Sequence, residues 1–423
     1  MRASASPRQS PATSPSTSTA RPCEGRRRPS ANADPGRLKR LGVNLLFLVP
    51  GEVGGSEIYA RNLLRAIHDL QPELELVAYV APEARDTLSE EPWAPATTFV
   101  PAPVRSASKP RRVAVELSWL PLRLRRDRVD LLHSLGTTTP PLCPVPSVVT
   151  VLDLIYHHFP ETFPRASRLG LRALVPTGAR RADRVIAISH AGKRDLVDTI
   201  GLDPEKVDVV HLGFGMAQAL DPVPEAELRE RYGLGEAPIV LTISAALRHK
   251  NLDRLISAFA SVVSDRDVRL VVVGHGGLEQ DALRAAAQAH GVGHRVVFTG
   301  WVEDAVVEGL YAAAALFAYP SLLEGFGLPI LEAMRRDVPV ACSNLSALPE
   351  VAGDAAELFD PHDVDAIAAA IRRLLDDDAR RAQLIERGRH RWTEFTWERA
   401  ASGTLDVYGR VLAARSTART TAQ

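Results

Sequence analysis

Residues 41–70 read LGVNLLFLVPGEVGGSEIYARNLLRAIHDL, and the order of features within this stretch decides the fold. Leu41 to Val49 is an apolar run interrupted by Gly42 and Asn44 and followed by Pro50. It is far shorter than the roughly 20 apolar residues a membrane-spanning helix requires, and it reads as a strand. Gly51 to Gly55 follows as a turn. Ser56 to Leu70 then reads as a helix, with Ile58, Leu63, Leu64, Ile67 and Leu70 on one stripe. Strand, glycine turn and amphipathic helix together are the repeating unit of a parallel sheet covered on both faces.

The unit recurs outward from there. Leu74 to Val80, Val129 to His133, Val148 to Leu152 and Arg184 to Ile188 are short apolar runs bounded by turn residues. A polar, proline-containing stretch over 213–237 reads as a linker, and a second series follows. Its strands are expected at Pro238 to Ser244, Val268 to Gly274, Val296 to Gly300, Leu316 to Pro320 and Val338 to Cys342. Asn251 is expected to cap a helix that buries Leu252, Leu255, Ile256, Phe259 and Val263. The class is therefore α/β, with two doubly wound parallel-sheet domains at 38–212 and 238–396 facing a cleft. An amphipathic stretch at 397–415 is expected to return to the first domain. A chain of 423 residues has room for both. Residues 1–37 are rich in Ser, Pro, Ala and Arg, hold few large apolar side chains, and read as a disordered tail.

Charge is balanced, 51 Lys and Arg against 51 Asp and Glu, which argues against a nucleic-acid partner. The three cysteines are far apart and form neither a disulfide framework nor a metal motif, which fits a reducing, cytoplasmic setting. Local basic clusters stand out against this balance. Arg105, Lys109, Arg111, Arg112, Arg123, Arg125, Arg126 and Arg128 face only Glu116 and Asp127, and Pro121 is expected to break any helix there. Arg165, Arg168, Arg172, Arg180, Arg181 and Arg184 form a second cluster. Such stretches suit an anionic bilayer surface or a solvated helical face.

Two segments carry chemistry. In Ser321-Leu-Leu-Glu-Gly-Phe-Gly-Leu-Pro-Ile-Leu-Glu332, Gly325 and Gly327 permit close backbone approach to a ligand and Pro329 suits a first helical turn. Glu324 and Glu332 thus frame a helix N-terminus, whose free N–H groups suit a phosphate. In Ser244-Ala-Ala-Leu-Arg-His-Lys-Asn251, Arg248 and Lys250 project from a strand-to-helix turn, where cations can neutralise a diphosphate.

With these residues in view, the chain resembles the retaining glycosyltransferases of the GT-B fold, group four, which carry a Glu-x7-Glu motif like Glu324 to Glu332. The resemblance covers about residues 40–412 and implies two Rossmann-like domains and a nucleotide-sugar donor as co-substrate, with no metal and no other cofactor. It assigns Glu324 to the transferred sugar and Glu332 to the ribose. Backbone N–H groups of Gly325, Phe326 and Gly327 fall near sugar and diphosphate, and the Val302 backbone near the base. Arg248 and Lys250 become the pair that stabilises the departing diphosphate, and His249 between them is expected to be incidental. Gly54 and Gly55 match the loop that approaches donor phosphate and acceptor. Asp153 matches an acidic position, although it also reads as a turn cap. Many relatives have His where this chain has Leu152, so that role does not transfer. The resemblance implies hexose transfer, mannose from GDP-mannose by family frequency, to a saccharide or lipid-linked acceptor, in the cytoplasm or at the inner membrane face. A catalytically silent scaffold and a UDP-sugar epimerase of the same fold are the alternatives.

Overall fold

The computed structural model describes residues 38–421, apart from 52–53, 106–107, 216–220 and 278. The tail expected over 1–37, part of the expected linker, and Glu52 and Val53 of the first turn lie outside the described residues.

Among the described residues, thirteen strands form two parallel sheets. The first holds β1 (Arg40–Asn44), β2 (Glu75–Val80), β3 (Thr97–Pro101), β4 (Leu131–Ser134), β5 (Ser147–Val151), β6 (Arg184–Ala187) and β7 (Val207–Val209), in the order β3-β2-β1-β4-β5-β6-β7. The second holds β8 (Ile239–Ile243), β9 (Arg269–Val273), β10 (Val296–Gly300), β11 (Leu316–Tyr319), β12 (Val340–Ser343) and β13 (Ala356–Phe359), in the order β10-β9-β8-β11-β12-β13. Each order reverses direction once, between β1 and β4 and between β8 and β11. In open sheets of this kind ligands bind beyond the strand ends at that reversal.

Every expected strand is present, most with one or both ends shifted by one or more residues. β1 stops at Asn44, because the chain turns out of the ladder there, with Leu45, Leu46 and Leu48 still buried in the core. Strands β3, β7 and β13 were not expected; Thr97–Pro101 and Val207–Val209 are short and mix polar with apolar residues, so their pattern is weak.

Two local expectations, at Pro121 and Asn251, are corrected, and the expected linker gains a detail. The Lys109–Asp127 helix runs through Pro121 without breaking. A proline removes one amide donor, and this helix needs only its inner stripe of Glu116, Leu120 and Leu124 to stay buried. The linker stretch contains a helix, Glu225–Tyr232, anchored by buried Leu228. Asn251 precedes the Leu252–Val262 helix as expected, but its side chain caps nothing there: it has φ 59° and bonds elsewhere.

The last helix, Trp397–Thr421, packs against the Gly55–Leu70 helix of the first sheet. Tyr59 and Trp397 bring their rings to 6.5 Å. Buried His133 of β4 joins Tyr408 OH through Nδ1 at 2.6 Å and Thr150 Oγ1 through Nε2 at 2.8 Å. Burial pushes the His133 pKa down to about 3, so the ring is neutral.

Candidate active site

The two loops that flank the reversal of the second sheet bring their charges together. After β8 the chain turns through a short 3-10 segment, Arg248–Lys250, and after β11 it enters the loop holding Glu324. Lys250 Nζ donates to Glu324 Oε1 at 2.7 Å. Tyr319, the last residue of β11, donates its hydroxyl to the same oxygen at 2.7 Å, and Lys250 Nζ lies 3.3 Å from that hydroxyl. Both charged side chains are largely shielded, 16% and 11% exposed.

The ionisation of the pair follows from these contacts. Burial disfavours the Glu324 carboxylate, but the Lys250 ammonium outweighs it and holds the group below its ordinary value. For Lys250, burial acts to lower the pKa, and the Glu324 carboxylate with the Tyr319 phenol more than offsets it. The Glu324 loop is fixed from below by Ser346, whose hydroxyl accepts from Glu324 N at 3.1 Å and donates to its carbonyl at 2.7 Å.

Asn251 sets the cation loop. Its left-handed backbone, φ 59°, is one of five such non-glycine conformations among the described residues. Buried Nδ2 donates to the carbonyls of Pro320 (3.1 Å) and Pro361 (2.8 Å), and Oδ1 accepts from Arg254 (2.8 Å). Leu322 N donates to His249 O at 2.7 Å. The lysine loop and the glutamate loop are thus tied by backbone-directed bonds before any ligand arrives.

Gly327, at φ 119°, precedes the Leu328–Arg335 helix, which has Pro329 in its first turn. Glu332 sits one turn in, accepts from Tyr311 OH at 3.0 Å, and is pushed up by burial, with Arg336 acting in the opposite sense. Phe326 is buried, its ring 5.4 Å from Phe395 and 5.9 Å from His211, so only its backbone remains for a ligand. Val302 is also buried in the core, next to Trp301, which is 66% exposed.

Arg248 is placed differently from Lys250. It is 69% exposed and lies 3.6 Å from Glu161, which belongs to the first sheet's connections. His249 turns inward against the Phe159 ring at 5.6 Å. Burial first, then the Lys250 charge, pushes its pKa down to about 4, so it packs as a neutral ring.

From the first sheet, Gly54 and Gly55 start the Gly55–Leu70 helix, and the space where their side chains would be is open. Asp153, after β5, accepts from Ile155 N at 3.0 Å, a turn cap. Its pKa is raised, chiefly by burial and also by the Glu324 carboxylate, which places its carboxyl within electrostatic reach of the pair. Leu152 presents its carbonyl oxygen to Gly325, where any Cβ would overlap it. Ser189 Oγ donates to Gly325 O at 2.9 Å. The glutamate loop is therefore docked on the first domain.

Sequence reasoning missed Tyr319, Ser189 and Ser346. Tyr319 was accessible in principle, since a polar side chain ending a strand beside the reversal points where ligands bind. Ser189 and Ser346 carry no pattern of their own.

Comparison with known proteins decides the family. The model for glycosyl transferases group 1 matches residues 224–391, and that for glycosyltransferase family 4 matches residues 53–216. O-antigen chain mannosyltransferase B of Escherichia coli is 31% identical over 269 residues, 62% of this chain and 70% of that one. The chain belongs to the group 1 glycosyl transferases. A GDP-mannose-dependent alpha-(1-6)-phosphatidylinositol monomannoside mannosyltransferase of Mycolicibacterium smegmatis is also 31% identical, over 61% of this transferase and 78% of its own length. Coverage is lower for the MMP alpha-(1->4)-mannosyltransferase of Mycolicibacterium hassiacum, 32% identical, of which the chain spans 56%. Among solved structures, sucrose-phosphate synthase from Thermosynechococcus elongatus superposes with TM-score 0.69 at 21% identity, over 89% of this chain and 100% of that one. Anabaena Alr3699/HepE, solved with UDP and glucose, gives 0.66 at 22% identity over 88% and 100%. These structural likenesses establish the GT-B fold of two parallel-sheet domains, and the family models with the curated relatives establish a glycosyltransferase.

Proposed function

We propose that this transferase moves mannose from GDP-mannose to a saccharide or lipid-linked acceptor, with retention at the anomeric carbon and without a metal ion. The observation that carries the reading is the Lys250–Glu324 pair at the reversal of the second sheet, beside the Leu328–Arg335 helix N-terminus. As the anomeric C–O bond breaks, negative charge grows on the diphosphate and positive charge on the sugar ring. Lys250, Arg248 and the N–H groups of Gly325, Phe326 and Gly327 answer the first, and the Glu324 carboxylate the second. Glu332 serves the ribose and the Val302 backbone the base. Gly54, Gly55 and Asp153 face the phosphate and acceptor from the first domain. No second carboxylate is assigned as a nucleophile, and front-face attack by the acceptor accounts for retention without one. Mannose is favoured because the relatives named above are mannosyltransferases, one named for its dependence on GDP-mannose.

The test is nucleotide release over a panel of GDP-, UDP- and dTDP-sugars, with and without EDTA. GDP release from GDP-mannose that persists in EDTA is expected. Release from none, by folded protein, favours the silent scaffold; free conversion of a UDP-sugar to its epimer favours the epimerase.

A membrane-proximal acceptor is supported by exposed apolar residues among the arginines. Leu117 and Leu122 protrude from the Lys109–Asp127 helix and Leu169 from the Arg165–Arg181 helix. Among the described residues no helix is long and apolar enough to cross a membrane, and the contact proposed here is a surface one made by the basic and apolar side chains of these helices. Co-sedimentation with anionic vesicles at low salt is expected, and its absence removes this part of the reading.

A further inference from the structure

The two domains meet again behind the glutamate loop, and there three metal-binding side chains converge. His190 opens the His190–Ile200 helix of the first domain, His211 follows β7, and Glu350 lies on the Leu348–Ala352 helix of the second domain. One ligand atom from each lies within 4.8 Å of the other two. We propose that His190, His211 and Glu350 form a site for a divalent transition metal of the zinc class, separate from the reaction centre, that clamps the two domains together.

The donor set selects the ion. Two imidazole nitrogens and one carboxylate suit zinc, nickel or copper, whereas magnesium and calcium favour all-oxygen surroundings. Three protein ligands leave a fourth tetrahedral position for water, and the exposed side of His190 provides it. The carboxylate is already oriented by an outer shell: Glu350 Oε1 accepts from His190 N at 2.8 Å and Oε2 from Ala191 N at 3.1 Å. The His211 ring is held by Phe326 at 5.9 Å and Phe395 at 5.7 Å, an apolar wall that fixes its aim.

The required movement is small. His211 Nε2 now donates to Glu350 Oε1 at 2.6 Å. Metal bonds of about 2.0–2.2 Å at tetrahedral angles place neighbouring ligand atoms roughly 3.3 Å apart, so this pair must open slightly while His190 swings inward. His190 is at the surface, where a rotamer change is cheap. Because Phe326 of the glutamate loop leans on His211, an ion bridging His211 to Glu350 holds that loop against the first domain. Occupancy therefore favours the closed arrangement and slows exchange of whatever occupies the cleft. The proposal does not depend on which donor is used.

The test is calorimetric titration of the full, metal-free chain with zinc chloride. One ion per chain is expected, with His190→Ala and His211→Ala each weakening affinity at least about tenfold. The adjacent pair His157 and His158, outside the set, serves as control: substituting both with Ala is expected to change nothing. Cobalt substitution is expected to give the visible absorption of a tetrahedral nitrogen and oxygen site, lost in His211→Ala. Absence of zinc binding by the wild-type chain, or binding that survives both His190→Ala and His211→Ala, overturns the proposal. His190→Ala keeps the test sound if the half-buried positions do not tolerate change.

Discussion

Lys250 and Glu324 are 74 residues apart in the chain and 2.7 Å apart in the fold. Their strands, β8 and β11, are neighbours in the sheet, and the reversal between them splays the following loops around one spot. Glu324→Gln keeps size and hydrogen bonding but removes the charge. Loss of such a group costs about 2.7–4 kcal/mol of transition-state stabilisation, so kcat is expected to fall roughly 100- to 1000-fold. Lys250→Ala is expected to fall at least as far, with far-ultraviolet circular dichroism showing a folded chain in both. Wild-type turnover in either variant contradicts the assigned roles.

The same pair has a pH signature. The folded Glu324 carboxyl lies below its ordinary value of 4.5, so its stabilisation is present above that value and lost as pH falls beneath it. Lys250 lies above its ordinary 10.5, so its share is present below that value and lost only at higher pH. The stability difference between wild type and Glu324→Gln, from urea unfolding, is expected to be flat between about pH 6 and 9 and to shrink below about pH 4.5. A difference that varies across neutral pH contradicts the ion pair.

His133 gives a second, opposite-facing probe on the first sheet. Its folded pKa, about 3 against an ordinary 6.5, means the unfolded chain takes up a proton that the folded chain refuses. Stability from this group is present above pH 6.5 and lost as pH falls toward 3. His133→Gln, which cannot titrate, is expected to flatten the acid limb of the stability profile over that interval while lowering stability at pH 7.

Gly325 has the first domain's Leu152 carbonyl where a side chain would be. Gly325→Ala is expected to force the glutamate loop off that carbonyl and strain the Ser189 bond. A shift of about 1 Å in such a loop costs on the order of 100-fold in rate. Turnover should therefore collapse, and small-angle scattering should show a larger radius of gyration; full activity at unchanged radius refutes the docking.

Asn251→Ala loses two carbonyl-directed bonds and leaves a residue that dislikes φ 59°. A loss of about 2–4 kcal/mol in unfolding free energy is expected. Asn251→Gly, which accepts the backbone angle, should lose less, and equal losses would show that the bonds alone matter.

Much of this molecule was legible in its residues because the relevant signals are local. Alternating apolar runs and amphipathic helices gave the parallel sheets, and Gly327 with Pro329 marked the start of the Leu328–Arg335 helix where it is found. What was not legible depends on distant contacts. Arg248 and Lys250 looked equivalent two residues apart, yet Lys250 turns inward to Glu324 and Arg248 outward toward Glu161, because a tight 3-10 turn sends side chains two residues apart to different sides. Asn251 looked like a helix cap, and its left-handed backbone points the amide at two proline carbonyls instead. Pro121 looked like a helix breaker, and burial of Leu120 and Leu124 carries the helix past it. The contacts of Ser189, Ser346 and Glu350 join segments more than 20 residues apart and have no short-range pattern.

The most direct measurement is a crystal soaked with GDP-mannose. The diphosphate is expected within hydrogen-bonding distance, about 3 Å, of Lys250 Nζ and of backbone N–H groups between Gly325 and Gly327, with a Glu324 oxygen on a mannose hydroxyl. A donor bound elsewhere, or a diphosphate that leaves Lys250 and Glu324 untouched, would contradict the central claim.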